Sequence, residues 1–161
     1  MPNQASDIVA RLAALGLAVP EPAAPVANYV GATLSGALLF VSGQLPFGAD
    51  GALGAAHRGK VGADVTPEAA QAAARLCALN VLGQAQLALG DLRRLKRCLR
   101  VGGFVAAAPG FVGVPGVVNG ASDLIVAALG EAGRHARAAV GVAELPLGAC
   151  VEIEATFEVA A

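Results

Sequence analysis

A chain of 161 residues suits one domain. Its formal net charge of −1, single Tyr and absent Trp provide neither the basic field nor the stacking aromatics of a nucleic-acid surface. Hydrophobic residues reach 56% and charged residues only 14%, a balance expected of a soluble chain that buries surface against copies of itself.

The first predicted element is a short helix, Ser6 to Leu15. Ser6 caps it, Ile8, Leu12 and Leu15 share one face, and Gly16 stops it. A Pro- and Ala-rich connector, Pro20 to Pro25, follows. Tyr29-Val30 and Ala32 to Leu34 predict a strand. Ser35-Gly36 is the turn signal, and Leu38 to Ser42 is the returning strand. The glycine-rich stretch from Gly48 to Gly62 reads as loop, with room for one short strand.

Thr66-Pro67-Glu68 predicts a helix start: a capping hydroxyl, a proline at the first helical position and an acid at the positive end. That helix should run to about Leu89 on a stripe of Ala69, Ala73, Leu76, Asn80, Gly83 and Leu87, ended by Gly90-Asp91. Leu95 to Ala107 predicts a long strand, Pro109 to Gly116 a turn-rich loop, and Val117 to Leu129 a second helix closed by Gly130 and Gly133. Two last strands, Ala136 to Val142 and Cys150 to Val159, flank a loop holding Leu145-Pro146. The order ββ, helix, β, helix, ββ is α+β, with two helices on one face of a single sheet.

No apolar run approaches the roughly 20 residues that span a bilayer, and Gly36 to Val41 is the best of them. The start of the chain carries no basic, apolar leader, so a cytoplasmic protein is expected. Cys77, Cys98 and Cys150 are odd in number and widely spaced, which fits buried thiols rather than disulfides or zinc ligands. His57 and His135 share no ligand spacing with each other or with a cysteine, so no metal site is expected.

Alternation sorts the last two strands by face. Val151, Ile153, Ala155, Phe157 and Val159 should pack under the helices, leaving Glu152, Glu154, Thr156 and Glu158 opposite. In the preceding strand the branched Val140 and Val142 are assigned to the helix-covered face. Arg137, beside Ala139 and Gly141, then falls on the face of Glu152. Periodicity alone favours an ordinary cross-strand Arg–Glu pair there, a contact of roughly 0–1 kcal/mol. A floor of small residues beside a cation also leaves space for a ligand.

The stretch Ala136-Arg137-Ala138, Val140, Leu145-Pro146, Val151-Glu152-Ile153-Glu154-Ala155 resembles the signature of the RidA/YjgF family, also called endoribonuclease L-PSP. Asn28-Tyr29-Val30-Gly31 is similar to the family's N-terminal tyrosine segment, and Phe40-Val41-Ser42-Gly43-Gln44-Leu45-Pro46 to its SGQ-P segment. Val118-Asn119 falls where the family often has an asparagine. The matches run in order over about residues 25–160, with residues 1–24 as an N-terminal extension and 25–161 as the family domain. The resemblance implies a chorismate-mutase-like fold and a homotrimer with ligand pockets between subunits. It implies hydrolysis of 2-aminoacrylate and related 2-imino acids to 2-keto acids and ammonia, with no cofactor.

By the same resemblance Arg137 binds the substrate carboxylate, and Glu152 holds or activates water. Tyr29, Ser42, Asn119 and backbone near Ala139 line the pocket. Each minor position has an ordinary alternative: interface packing for Tyr29, a strand end for Ser42, a helix-start residue for Asn119. Ala139 stands where many deaminase members carry cysteine, and His135 where proline is common. Those departures mark a divergent subgroup. Besides the deaminase, a trimeric protein that binds a small carboxylate without turnover stays open. A ribonuclease is the weakest reading, given the near-zero net charge and the lack of a catalytic histidine pair.

Overall fold

The computed structural model describes residues 6–22 and 24–161, with side chains from Ile8 onward. The predicted Ser6 cap therefore lies outside the described side chains. Helix α1 spans Ser6–Ala14, α2 Pro67–Leu89 and α3 Val114–Leu129. The strands are β1 Ala32–Ser35, β2 Leu38–Gln44, β3 Leu95–Ala106, β4 Ala136–Val142 and β5 Val151–Val159. They form one sheet in the order β1-β2-β5-β3-β4, in which β3 and β4 run parallel and every other pair antiparallel. This is the predicted α+β architecture, and α2 and α3 cover one face.

Local chemistry explains the boundaries. Thr66 Oγ1 accepts from the Ala69 N–H at 3.1 Å, Pro67 occupies the first turn, and Gly90 ends α2 at φ 73°. The hairpin turn is Gly36-Ala37, one residue later than predicted, because Gly36 supplies the positive φ of 56° the turn requires. Tyr29 and Val30 lie in an irregular bend rather than in β1. Helix α3 begins three residues before the expected Val117, with Pro115 in its first turn.

The core is built for close approach. The buried face of α2 is Ala70, Ala73, Ala74, Cys77, Ala78, Val81 and Ala85, mostly small. The predicted stripe is off: Ala73, Asn80 and Gly83 are buried, but Leu87 is 70% exposed. An alanine-rich helix is apolar around much of its circumference, so periodicity discriminates poorly. Where α3 crosses α2, a Cβ on Gly120 would overlap the Gln71 carbonyl oxygen. Gly103 of β3 likewise makes room for Val118. Helix α1 buries Ile8 and Leu12 in the same core.

Alternation in β5 is as predicted, with Val151, Ile153, Ala155, Phe157 and Val159 buried beneath the helices. The face assignment of β4 is reversed. Val101, a core residue, pairs in register with Arg137, so Arg137, Ala139 and Gly141 face the helices. Val140 faces the opposite way and is 44% exposed. The register of β4 on β3 decided this: Arg137, Ala139 and Gly141 stand beside the inward-facing Val101, Gly103 and Val105. A Cβ on Gly141 would meet Ala107 Cβ at 3.4 Å and Val114 Cγ2 at 3.8 Å, ordinary contact distances.

Candidate functional site

The predicted site residues fall into two groups on opposite faces of the sheet. The first lies where α3 crosses the start of β4. Arg137 reaches up to α3, and its NH1 donates to Asn119 Oδ1 at 2.8 Å and to Ser122 Oγ at 3.2 Å. NH2 donates to the Pro115 carbonyl at 3.5 Å. Ser122 Oγ lies 2.9 Å from His135 Nε2, and His135 Nδ1 lies 2.6 Å from the Gly133 carbonyl oxygen. Asn119 stands in the second turn of α3, one helical step (i, i+3) from Ser122. Ala139 is half-buried against the core, two residues along the strand from Arg137.

The second group lines a cavity of about 290 Å³ at the junction of β2, β5 and α2. Tyr29 and Glu152 border it together with Gly43, Gln44, Gln84 and the apolar Pro25, Val26, Leu45, Phe47 and Leu147. Two glycines shape it. A Cβ on Gly43 would overlap the Glu152 carboxylate, and one on Gly31 would overlap the Gln84 amide. Gln84 Nε2 donates to Gln44 Oε1 at 3.4 Å. Ser42 does not border the cavity. It donates from Oγ to the Val30 carbonyl at 2.7 Å, and its N–H bonds the Gly31 carbonyl at 2.9 Å, so it anchors the segment that carries Tyr29. Leu147 has φ 59°, a conformation L-residues avoid, and Arg58 NH1 holds its carbonyl at 3.1 Å.

Burial, and then the neighbouring Glu154 carboxylate, push the Glu152 carboxyl above the ordinary range. A carboxyl held protonated to higher pH than usual can take a proton from water and return it.

Within one chain Arg137 and Glu152 cannot meet. Strand β3 separates β4 from β5, a gap of two strand spacings or roughly 10 Å. The two side chains also leave opposite faces, since Arg137 shares a face with Val101 and Glu152 with Phe104. The cross-strand Arg–Glu pair is thereby ruled out. Sequence reasoning missed Ser122, which carries no signal beyond its spacing from Asn119. It also left His135 without a role, although the residue stood out where a proline is common.

The fold, the SGQ-P segment and the Arg137 and Glu152 strands define a small α+β domain of the YjgF/chorismate-mutase-like class. The family model described as "YjgF/chorismate mutase-like, putative endoribonuclease" matches residues 9–156, and the chain belongs to that family. It is similar to Protein TCP17 of Trypanosoma cruzi, 50% identical over 152 residues that cover 94% of this chain and 93% of that one. The crystal structure of Atu1372 from Agrobacterium tumefaciens is 49% identical, covering 98% and 96% of the two chains, at a TM-score of 0.88. RidA from an Antarctic Psychrobacter is 26% identical, covering 86% and 94%, at a TM-score of 0.61. The chain is thus closer in shape to Atu1372 than to that RidA, in keeping with a divergent subgroup.

Proposed function

We propose that the protein is an enamine/imine deaminase that hydrolyses 2-aminoacrylate and related 2-imino acids to 2-keto acids and ammonia. In this reading it works as a homotrimer. Arg137 of one copy faces the Tyr29–Glu152 cavity of the next, and the pocket closes around a small carboxylate. The supporting observation is the separation of Arg137 from Glu152 on opposite faces of one sheet, which leaves each half-site incomplete in a single chain. The uncovered sheet face adds to it: Phe40 is 47% exposed there, and Val140 lies beside Phe104.

The chemistry follows from the two charged groups. The guanidinium takes the carboxylate through two parallel charge-assisted hydrogen bonds. In a 2-imino acid the imine carbon is bonded to the carboxylate carbon, so anchoring one places the other. Water adds to that carbon, Glu152 takes one of its protons, and the C=N π pair moves to nitrogen, which receives that proton from Glu152 to give a carbinolamine. Glu152 then carries the carbinolamine hydroxyl proton to the nitrogen as the C–N bond breaks and the carbonyl forms, and ammonia leaves the 2-keto acid. We place the reaction in the cytoplasm, where the three free thiols of this chain would stay reduced.

The test is timed pyruvate release from 2-aminoacrylate generated in situ, with and without the protein. Arg137→Ala should lose acceleration and 2-ketobutyrate binding while keeping its fold, and Glu152→Gln should bind but turn over at least about 100-fold more slowly. Full activity in Arg137→Ala would end this reading. Wild type that binds 2-ketobutyrate but never accelerates hydrolysis would make the protein a small-carboxylate binder instead.

A further inference from the structure

We propose that Ser122 and His135 are positioning residues that set the working edge of Arg137. The inference rests on the carboxylate-binding role assigned to Arg137 above.

The argument follows the hydrogens. The Gly133 carbonyl can only accept, so the 2.6 Å contact places a proton on His135 Nδ1. In the neutral ring Nε2 is then an acceptor, and the 2.9 Å contact is a bond donated by the Ser122 hydroxyl. With its hydrogen turned to the histidine, Ser122 Oγ presents lone pairs toward Arg137, whose NH1 donates to it at 3.2 Å. The chain therefore has one direction: Arg137 to Ser122 to His135 to Gly133. A serine in the same place without the histidine can rotate its own hydrogen toward the guanidinium, which cannot accept one.

The consequence is geometric. Asn119 and Ser122 together occupy both protons of NH1. The pair left for a bidentate ligand is Nε–H with the second NH2 proton, so a carboxylate is taken on the side of the guanidinium rather than at its tip. Arg137 sits on an edge strand of small residues that gives its long stem little lateral support. Orientation then has to come from hydrogen bonds to α3, and losing it costs the arginine conformational entropy on binding. A purely local role, tying the middle of α3 to the start of β4, would affect stability without affecting ligand affinity.

Four variants separate these cases: Arg137→Ala, Ser122→Ala, His135→Ala and His135→Gln. The glutamine offers an amide oxygen near the position of Nε2. The readouts are 2-ketobutyrate affinity, thermal midpoint and the NMR resonances of the Arg137 Nη protons. Ser122→Ala and His135→Ala should each weaken binding by about tenfold, the scale of one charge-assisted hydrogen bond. Their resolved Arg137 Nη resonances should collapse through faster rotation, with the thermal midpoint little changed. His135→Gln should recover most of both. Should Arg137→Ala abolish binding while Ser122→Ala and His135→Ala bind like wild type, the positioning role is overturned and the carboxylate site survives. Loss of stability in step with affinity, unrescued by glutamine, would also overturn it. Unchanged binding in Arg137→Ala would instead remove the carboxylate site itself.

Discussion

Glu152 illustrates how much one side chain owes to its neighbours. Gly43 leaves the space its carboxylate occupies, and burial together with Glu154 keeps its proton on to higher pH than usual. If the ionised form accepts a proton from water, turnover falls on the acid side as Glu152 protonates. Neutralising Glu154 removes a like charge, so the Glu152 pKa drops and that limb moves to lower pH in Glu154→Gln. Burial persists, so the limb should stay above the position of an exposed glutamate. Recording kcat against pH for wild type, Glu154→Gln and Glu152→Gln checks this, with no such limb in the last. A limb that Glu154→Gln leaves in place would assign it to another group.

Among the elements, α2, β4 and β5 appeared in the sequence with ends correct to within a residue, because a Thr-Pro start, glycine stops and strict alternation are local signals. The facing of β4 did not. Its side chains are Ala, Arg, Val and Gly, and the choice of face depended on the parallel register of β4 on β3, a long-range pairing that no local pattern encodes. Close approach governs the helix pair. A methyl group at position 120 has no flexible partner to displace, since the obstruction is the backbone carbonyl of Gln71. Gly120→Ala should therefore destabilise by about 1–3 kcal/mol despite the better helix propensity of alanine. The urea midpoint measures this, and a midpoint equal to or above wild type would mean α2 and α3 can separate freely. The candidate site was legible as residue types, but its division between two faces was not, because strand order is set by long-range pairing and β3 enters between β4 and β5.

Over the whole molecule, burial raises the thiol of Cys98 to about 12 and that of Cys150 to about 11, and lifts Cys77 as well. In the unfolded chain these groups titrate near the ordinary value of 9.0. Between those limits the unfolded chain has shed protons that the folded one retains, so stability is full below the lower limit and declines as pH rises through the window. The urea midpoint should fall between pH 9 and pH 11, and Cys98→Ala should flatten that slope even where it lowers overall stability. A midpoint that stays level across the window in wild type would contradict the burial of these thiols. A trimer of three 15.8 kDa chains would cover the exposed face of the sheet and bring Arg137 of one copy to Glu152 of another. The most direct test mixes two inactive variants, Arg137→Ala and Glu152→Gln, by refolding them together from denaturant. If each pocket takes its arginine and its glutamate from different copies, random mixing rebuilds roughly a quarter of the pockets with both groups intact, and deamination returns to about that fraction of wild type. Mixed trimers, isolated through a tag on one variant, that recover no activity would contradict a site shared between copies.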